Sequence, residues 1–432
     1  MTEWKNFFLG EQCEKITKGT TPTSVGGGFV DRGINFVKVE SMTDNGFIDT
    51  DKLSAVDSKT DELLSRSRLV KGDILFSIAG TIGRCCLVPE KILPANTNQA
   101  VAIIRLRDNS SIDRKFLYYQ LRSEVIKQSV SEGVVQAVQA NYSLGQIKQL
   151  EIHAPACIRE QRQIASILGT LDAKIENNRK TAATLEEMAR ALYRSWFVDF
   201  DPVHAKAAGE RPAHMDDETA ALFPDRFGDD GLPEGWAPLN LGCIAENPRT
   251  AVKPSAIDPE TSYIGLEHMP RKSLSLSMWD TAGKVKSQKY RFSKGDFLFG
   301  KLRPYFHKVG IAPIEGVVST DVLVIRPISS VWSCYTLLAI SSDELIAFVS
   351  SRSSGTRMPR TNWNEMRSYE LVDPGEALVS RFENIVSPIF DQIIQNIHMN
   401  KNLSVLRDTL LPKLMSGAIR VDEARERVDD VT

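Results

Sequence analysis

At 432 residues, with 42% hydrophobic and 25% charged side chains, the chain has the composition of a folded protein too long for one ordinary core, so we expect two domains. It has no apolar run of the roughly 18 residues that a membrane span needs and no signal-peptide pattern at its start, so we expect a cytoplasmic protein without a membrane partner. The net charge of −2 does not indicate nucleic-acid binding, although residues 209–235 contribute eight acidic and two basic side chains and leave the rest slightly basic.

The first half of the chain predicts a mixed α/β domain over residues 1–158. Short segments rich in branched residues and bounded by glycine, proline and asparagine predict strands, and a later segment with helical spacing of its apolar residues predicts one helix. The predicted strands are Ile34–Val39, Asp73–Ile78 and Ala100–Leu106, and the predicted helix is Phe116–Gln128.

A long amphipathic helix is predicted over residues 159–200. Its apolar residues recur in alternating steps of four and three, which is the heptad spacing of a coiled-coil seam, with one polar residue near the middle. The seam contains Ile164, Leu168, Leu171, Ile175, Asn178, Ala182, Leu185, Ala189, Leu192 and Trp196. Residues 201–235 are acidic and contain proline and glycine, and they are predicted to form an extended linker to the second half.

The second half predicts the same order of elements: a mixed α/β domain over residues 236–378, a distal amphipathic helix over 379–417 and a polar C-terminal tail over 418–432. Its predicted strands are Tyr263–Leu266, Asp296–Phe299 and Val322–Arg326, and its predicted domain helix is Cys334–Val349. The distal seam changes phase near its middle and contains Phe382, Val386, Ile389, Ile393, Asn396 or Asn400, Leu403, Leu406, Leu410 and Leu414.

Short sequence matches between the halves, at an offset of about 220 to 230 residues, indicate an internal duplication. In order, Trp4 matches Trp236, Phe36–Glu40 matches Tyr263–Glu267, Lys71–Phe76 matches Lys294–Phe299, and Asn141-Tyr142 matches Asn362-Trp363. The predicted fold is therefore α+β, with two mixed α/β domains separated by a pair of long, antiparallel coiled-coil helices and related by pseudo-two-fold symmetry. The alternative is an ordinary buried helix pair inside a larger core.

The sequence contains no recognisable catalytic or metal-binding motif. It lacks a Gly-x-x-x-x-Gly-Lys-Ser/Thr phosphate loop, a Gly-x-Ser-x-Gly motif and a methyltransferase Asn/Asp-Pro-Pro-Tyr tetrad. Its six histidines and six cysteines lack metal-ligand spacing, and the cysteines are predicted to be reduced, mostly buried thiols. The segment Asp172-Ala173-Lys174 matches half of a nuclease signature, but we expect a solvated charge pair on the outer face of the helix. We therefore expect no catalytic residue, metal or cofactor in this chain.

Segments throughout the chain resemble the specificity subunits of type I restriction-modification systems. The segments similar to the family's central and distal conserved regions are Glu160–Ala165, Leu171–Ile175, Leu192–Phe197 and Leu411–Gly417. The segments similar to its target recognition domains are the Lys-Gly-Asp turns 71–73 and 294–296, together with Ser353–Arg360. Residues 1–158 and 236–378 would then be the two target recognition domains.

The resemblance implies a subunit that reads a split, asymmetric site in double-stranded DNA, with one target recognition domain for each part and a non-specific gap between them. It implies that the two long helices measure the gap and dock two adenine-methyltransferase subunits, which two ATP-driven translocase/nuclease (restriction) subunits join. S-adenosylmethionine, ATP and Mg²⁺ would be used by those partner subunits, and this chain would be a non-catalytic subunit.

Polar and basic side chains in turns beside the predicted strands are the candidate DNA contacts, because Arg, Lys, Asn and Gln carry most direct readout in the major groove. In the first domain these are Lys38, Thr81, Arg84, Asn98, Gln99, Gln136, Gln139 and Asn141. In the second domain they are Lys301, Arg303, Tyr305, Lys308, Arg352, Thr356, Arg357 and Arg360. For Asn98 and Gln99 the alternative is capping of a strand end.

Residues that recur in both copies are weak candidates for reading bases, because a shared feature cannot distinguish two unlike half-sites. Asn141, Tyr142, Asn362 and Trp363 are therefore expected to serve packing first. Two other functions remain open from the sequence. One is a coiled-coil scaffold without a nucleic-acid role, and the other is an undetected nuclease that uses the Asp-Ala-Lys segment of the central helix.

Overall fold

A computed structural model describes residues 3–134, 141–353, 355 and 358–430 of the chain. The chain divides into two compact units, Met1–Lys174 with Leu403–Thr432 (unit 1) and Ile175–Asn402 (unit 2). Both units combine helices with small sheets, so the predicted α+β class is confirmed.

Unit 1 contains the first mixed α/β domain. Its strands are Trp4–Phe8, Cys13–Lys18, Ile34–Val37, Ser54–Val56, Ile74–Ser77, Cys85–Leu87, Ala95–Thr97, Val101–Leu106 and Glu151–Pro155. Its shorter α-helices are Leu9–Gln12, Ser58–Leu63, Arg114–Leu121, Glu124–Gly133, Leu144–Lys148 and Val421–Asp429. One antiparallel sheet has the strand order 13–18, 101–106, 74–77, 85–87, a second sheet has the order 54–56, 34–37, 95–97, and strand 4–8 pairs with 151–155.

Unit 2 contains the second mixed α/β domain. Its strands are Ala237–Asn240, Ala245–Glu246, Ala251–Val252, Ser262–Ile264, Asp280–Thr281, Lys289–Phe292, Phe297–Gly300, Val309–Ile311, Gly316–Val318, Val322–Pro327 and Glu370–Asp373. Its shorter α-helices are Asp201–Ala207, Asp217–Ala221, Leu241–Ile244, Ser333–Ile340, Asp343–Ser351 and Trp363–Met366. The sheet order 245–246, 322–327, 297–300, 309–311 repeats that of the first antiparallel sheet in unit 1, and strand 237–240 pairs with 370–373.

The prediction of a single helix at this place in each domain was wrong, because each of the two segments forms two helices. In unit 1 the break falls at Ser123, whose hydroxyl donates to the carbonyl of Gln120 and accepts the amide of Ile126 as the N-cap of the second helix. In unit 2 Ser342 does the same, donating to Ala339 and capping Leu345. A serine in this position supplies the acceptor that the first turn of a helix lacks, which favours a new helix start.

The two long helices are the central helix, Ile158–Phe197, and the distal helix, Glu376–Met415, each of 40 residues. The predicted central seam is buried, apart from Leu185 and Leu192, which are half-buried. In unit 2 the helices run antiparallel, since Asn178 donates to Asn400 at 2.9 Å while Tyr193 packs against Phe382 further along the central helix. The sequence left Asn396 and Asn400 as alternative seam residues, and Asn400 is the one that bonds to Asn178.

The acidic segment 201–235 is not the extended linker that its composition predicts. It forms two short helices and buries Val203 and Phe223, and the ring of Phe223 packs edge-on against Trp196 with centroids 5.1 Å apart. Arg381 of the distal helix donates to Thr219 at 2.7 Å. Val203 and Phe223 belong to the same buried core as Trp196 and Phe382 of the long helices, so a segment of polar composition still packs on the helix pair of unit 2.

The C-terminal segment, predicted as a polar tail, also folds. It contains the helix Val421–Asp429, which buries Ala424 and Val428 in unit 1. Only its outward face is polar, so its composition hid an amphipathic helix.

The Lys-Gly-Asp turns are structural anchors that the two copies share. Gly72 and Gly295 adopt left-handed conformations, with φ of 81° and 88°, which glycine tolerates without a Cβ penalty. The following Asp73 is almost fully buried, accepts the amide of Val70 at 2.9 Å and binds Arg105 through two contacts of 2.8 Å.

The second copy repeats this arrangement closely. Asp296 accepts the amide of Ser293 and accepts hydrogen bonds from Nε and Nη2 of Arg326, each at 2.7 Å. The sequence showed the recurring turn but not its arginine partners, because they lie on a strand about 30 residues further along. Bidentate pairs of this kind fix orientation as well as charge.

We expect Asp73→Asn to lower the free energy of unfolding by roughly 2–3 kcal/mol, because it leaves the largely buried Arg105 guanidinium without its anion. Urea denaturation of the full chain measures this. The matched control is Lys71→Ala in the same turn, whose ion pair with Glu90 is exposed on both sides and should contribute about 0.5 kcal/mol or less. Equal losses in the two variants would contradict the anchoring role.

Candidate nucleic-acid interface

The basic loop of unit 2, Lys301–Lys308, joins the strands Phe297–Gly300 and Val309–Ile311 and contains four of the predicted DNA contacts. Two of its non-glycine residues, Arg303 and His307, have a left-handed φ of 51°, a conformation that persists where surrounding contacts impose it.

His307 supplies those contacts from inside the protein. The side chain is almost fully buried, with Nε2 2.9 Å from the carbonyl oxygen of Ser341 and Nδ1 3.3 Å from a carboxylate oxygen of Asp343. Burial lowers the pKa of His307 below its usual value, so the ring is neutral at pH 7. The loop is thereby pinned at its C-terminal end by a hydrogen-bonded side chain.

The start of the basic loop is held by the segment that follows residue 357. The amide of Arg303 donates to the carbonyl of Pro359 at 2.7 Å, and the amide of Thr361 donates to the carbonyl of Lys301 at 3.0 Å. Arg360, which forms an ion pair with Asp321 at 3.2 Å, therefore lies beside Lys301 and Arg303, two other predicted DNA contacts. Three of the predicted contacts thus lie together.

The other predicted contacts of the second domain differ in their exposure. Tyr305 is 54% exposed at the tip of the basic loop, and Arg352 is exposed at the end of its helix with its guanidinium over Phe348. Lys308 points inward, because its ammonium donates to the carbonyl of Leu266 and burial lowers its pKa. Thr356 and Arg357 lie outside the described residues.

One basic residue near this loop was missed by the sequence reasoning. The guanidinium of Arg271 lies 3.9 Å from the centroid of Phe306, and that of Arg303 lies 5.7 Å from the same centroid. Stacking on an aromatic ring orients the guanidinium group. Arg271 lies about 30 residues before the loop, so only the fold brings it there.

In the first domain three predicted contacts are neighbours. Arg84 pairs with Asp44 at 2.6 Å and reaches the carbonyl of Val39, next to Lys38, whose ammonium lies 4.0 Å from the centroid of Phe29. Thr81 is exposed in the turn before Arg84.

The remaining predicted contacts of this domain have local roles or lie elsewhere. Asn98 accepts the amide of Ala100 at 3.1 Å, which agrees with the capping alternative, and Gln99 bonds to Thr21. Asn141 is exposed and bridges to Ala79. Gln136 and Gln139 lie outside the described residues.

Two of the shared residues at the end of each domain, Tyr142 and Asn362, have packing or capping roles. Tyr142 is buried against Phe76, and Asn362 caps the helix Trp363–Met366 by accepting the amide of Glu365. Both residues therefore stabilise the scaffold.

A buried charge network in unit 1 contradicts the expectation that Asp172 is solvated on the outer face of the central helix. Asp172 is 5% exposed. One of its oxygens accepts the Tyr119 hydroxyl at 2.9 Å and Arg122 at 3.2 Å, and the other accepts Arg407 of the distal helix at 2.8 Å. The heptad pattern could not reveal this, because the domain helix that carries Tyr119 covers this face of the central helix.

The two arginines keep their charge in this buried place. Burial by itself lowers the pKa of Arg407, but the hydrogen bond and charge of Asp172 outweigh it and raise the pKa above the usual value. Burial raises the pKa of Tyr119, and the neighbouring Asp172 raises it further, so the phenol remains a donor. The Asp-Ala-Lys segment thus belongs to a structural network.

A cavity of about 670 Å³ in unit 1 lies between this network and the turn of the first α/β domain that contains Thr81 and Arg84. It is lined by Arg122 and Arg407 from the network and by Thr81 and Arg84 from the group of predicted DNA contacts. The cavity therefore lies between the distal helix and the turn that contains Thr81 and Arg84, which we expect to contact DNA.

The second copy has no such network at the aligned positions. Aligned at the first residues of the long helices, Asp172 corresponds to Phe390 and Arg407 to Ala189, both buried in the apolar core of unit 2. The aligned domain helices place Leu338 where unit 1 has Tyr119. The charge network is thus a feature of one copy alone.

Within the described residues, no group of three or more His, Cys, Asp or Glu side chains could hold a metal ion, and no helix is long and apolar enough to cross a membrane. Four of the six cysteines are buried, and Cys157 and Cys243 are exposed. Burial raises the pKa of Cys13 and of Cys86 to about 12, so these thiols are unreactive.

Comparison with known proteins agrees with this architecture. The family model described as "Type I restriction modification DNA specificity domain" matches residues 1–187. The type I restriction enzyme HindI specificity subunit of Haemophilus influenzae is 24% identical over 97% of this chain and 100% of its own length. The chain is thus similar to type I restriction-modification specificity subunits, over residues 1–187 by the family model and over nearly its whole length by the Haemophilus influenzae relative.

Two further comparisons agree with this similarity. The type I restriction enzyme MjaIX specificity subunit of Methanocaldococcus jannaschii is 24% identical over 82% of this chain and 79% of its own length. The crystal structure of the type I restriction-modification system S subunit from M. genitalium aligns over 96% of both chains with a TM-score of 0.53 and 17% identity, which supports the fold.

We expect Asp172→Asn to destabilise the protein by about 3 kcal/mol, because two largely buried guanidinium groups lose their anion. Thermal and urea unfolding of the full chain measure the change. Asp408→Asn is the matched control, because Asp408 also contacts Arg407 but is 63% exposed and should change stability by less than about 1 kcal/mol. Similar values for the two variants would show that the network does not stabilise unit 1.

Proposed function

We propose that this chain is the DNA-specificity subunit of a type I restriction-modification enzyme and that it recognises a split, asymmetric DNA site with one domain for each part. The observation that carries the proposal is that one scaffold occurs twice with unlike surfaces. The anchors Asp73–Arg105 and Asp296–Arg326 are the same, whereas the loops between anchors differ in length, charge and contacts.

Physical reasoning links this duplication to the kind of site that is read. A symmetric dimer reads a palindrome because protein and DNA share a two-fold axis. Two diverged copies in one chain read two unlike half-sites instead. The common scaffold then positions each surface on the DNA, and the residues that differ between copies read the bases.

We further propose that the basic loop grips the DNA backbone in the second domain. Lys301, Arg303 and Arg360 lie together there with the exposed Tyr305, and basic side chains beside an aromatic ring are suited to phosphate and sugar contacts. In the first domain, Lys38, Thr81 and Arg84 are the corresponding group. Lys308 is not proposed to contact DNA, because its ammonium group donates to the carbonyl of Leu266 inside the protein.

The long helices are proposed to dock the partner subunits and to measure the gap between half-sites. Apolar side chains remain exposed on them even after their seams are buried, among them Met188, Met399 and Val405. In the cytoplasm, two methyltransferase subunits would cover this surface and two restriction subunits would complete the nuclease. The partners would use S-adenosylmethionine, ATP and Mg²⁺, while this chain supplies recognition alone.

Deleting the gene and mapping methylated adenines across the genome tests the function. We expect one split motif to lose methylation completely and to regain it when the gene is restored, because no other subunit would supply that specificity. The matched control is expression of the methyltransferase genes without this chain, which should leave the motif unmethylated. If the expressed chain changes no motif, it acts as a scaffold without a DNA-reading role.

A further inference from the structure

A small cavity in unit 2 lies between the two sheets of the second recognition domain. It measures about 130 Å³. Its lining combines the apolar edge Val322–Val324, the rings of Tyr290 and Trp363, the cations Arg249 and Lys301, and the amides Asn247 and Asn362. Of these residues, only Lys301 was predicted from the sequence to contact DNA.

The cavity exists because a strand is shorter in the second copy. Strand Ala245–Glu246 pairs with Arg326 and Pro327 and then leaves the sheet. Beyond it, the Asn247 side chain takes the place of a strand and donates from Nδ2 to the carbonyl of Val324 at 2.6 Å. The chain then turns at Arg249, a non-glycine residue with a φ of 45°. It enters strand Ala251–Val252, which pairs with strand Lys289–Phe292 in a second, five-stranded sheet of the order 251–252, 289–292, 316–318, 262–264, 280–281.

In the first copy, the corresponding strand is longer and stays paired to the end of the neighbouring strand. There the strand Cys13–Lys18 runs along its partner as far as Ala102, and the amide of Gly19 continues the pairing by donating to Val101 at 3.1 Å. The amide of Thr20 donates to Thr97 at 3.0 Å. The open edge is thus a feature of the second domain alone, as expected for a site that distinguishes one half-site from the other.

The polar groups around the cavity are not all used by the protein. Asn247 Oδ1 is buried and has no hydrogen-bond partner among the described residues, although a buried acceptor normally has one. Arg249 is exposed, and its guanidinium is 3.4 Å from the Tyr290 hydroxyl. The Lys301 backbone is fixed on both sides, by Asp321 and by Thr361, so its side chain starts from a rigid position.

We propose that this cavity is a base-reading site of the second domain, in which Arg249 and Lys301 donate to a nucleobase edge and Asn247 accepts from it. The major-groove edge of a base pair offers acceptors and amino donors side by side, which matches this set of groups. The volume admits the projecting edge of one base and is too small for a nucleotide with its phosphate. The inference rests on the proposed function, since it names residues that read one half-site.

The position of the cavity agrees with this role. It opens beside the basic loop, because Lys301 belongs to both, and Trp363 follows directly on the segment that holds the loop. A base contact would therefore lie next to the proposed backbone contacts of Arg303 and Tyr305. Strain at Arg249 is of the kind that recurs where side chains must be aimed at a ligand.

Arg249→Ala in the full chain, expressed with its own methyltransferase subunit, tests the proposal through the map of methylated adenines. We expect the first half-site and the gap to be unchanged and one position of the second half-site to lose its base preference by roughly tenfold. The control is Arg291→Ala, which removes the same charge from the residue that follows Tyr290 on strand Lys289–Phe292. Because side chains alternate along a strand, the exposed Arg291 lies on the opposite face of the strand from Tyr290, which lines the cavity. Asn247→Asp, nearly the same size, is the second variant and should shift the preference at that same position.

Two results would overturn the proposal. One is an unchanged motif in both cavity variants at normal protein levels. The other is an unchanged motif in which all positions are methylated more weakly, together with a salt dependence of DNA binding that corresponds to about one released ion fewer. That result would show that Arg249 contacts a phosphate and not a base. If the unaltered chain directs no split motif at all, the proposed function itself fails, so the two failures are distinguishable.

Discussion

The apolar stripe along each 40-residue helix cannot remain in water, and burying it is the constraint on which the rest of the structure depends. A fully buried leucine, isoleucine or phenylalanine contributes about 1.5–3 kcal/mol, so a seam of this length outweighs any single contact in the domains. In each unit the segments of the two helices cover one another. The domain helices then pack on what remains, as Tyr335 does against Tyr193 and Phe197 in unit 2.

The duplicated parts and the diverged parts of the chain have different tasks. The buried Asp–Arg anchors and the serine-capped helix pairs recur in both copies and hold each domain together. Among the described residues, the Asp172 network has no counterpart at the aligned positions of unit 2, and the strand that ends at Glu246 beside the Arg249 cavity is longer in unit 1. Features that occur once make the two domains unlike, and under the proposed function only unlike domains can read an asymmetric site.

The sequence predicted what depends on local pattern. Heptad spacing located both long helices, and the repeated Lys-Gly-Asp turn located two equivalent strands. What it missed depends on tertiary contacts. Asp172 is buried because a domain helix covers it, and Arg271 reaches the basic loop across about 30 residues. The cavity arises where a strand stops after two residues, and no propensity scale distinguishes that from the longer strand of the first copy.

The measurement that tests the central claim most directly is an exchange of one recognition domain. Residues 236–378 are replaced by the corresponding domain of another specificity subunit, and methylated adenines are mapped. The account predicts that one half of the split motif changes to that of the donor, while the other half stays as it was. The reciprocal exchange of residues 1–158 should change only the other half. Alteration of both halves by a single exchange would contradict one domain for each half-site.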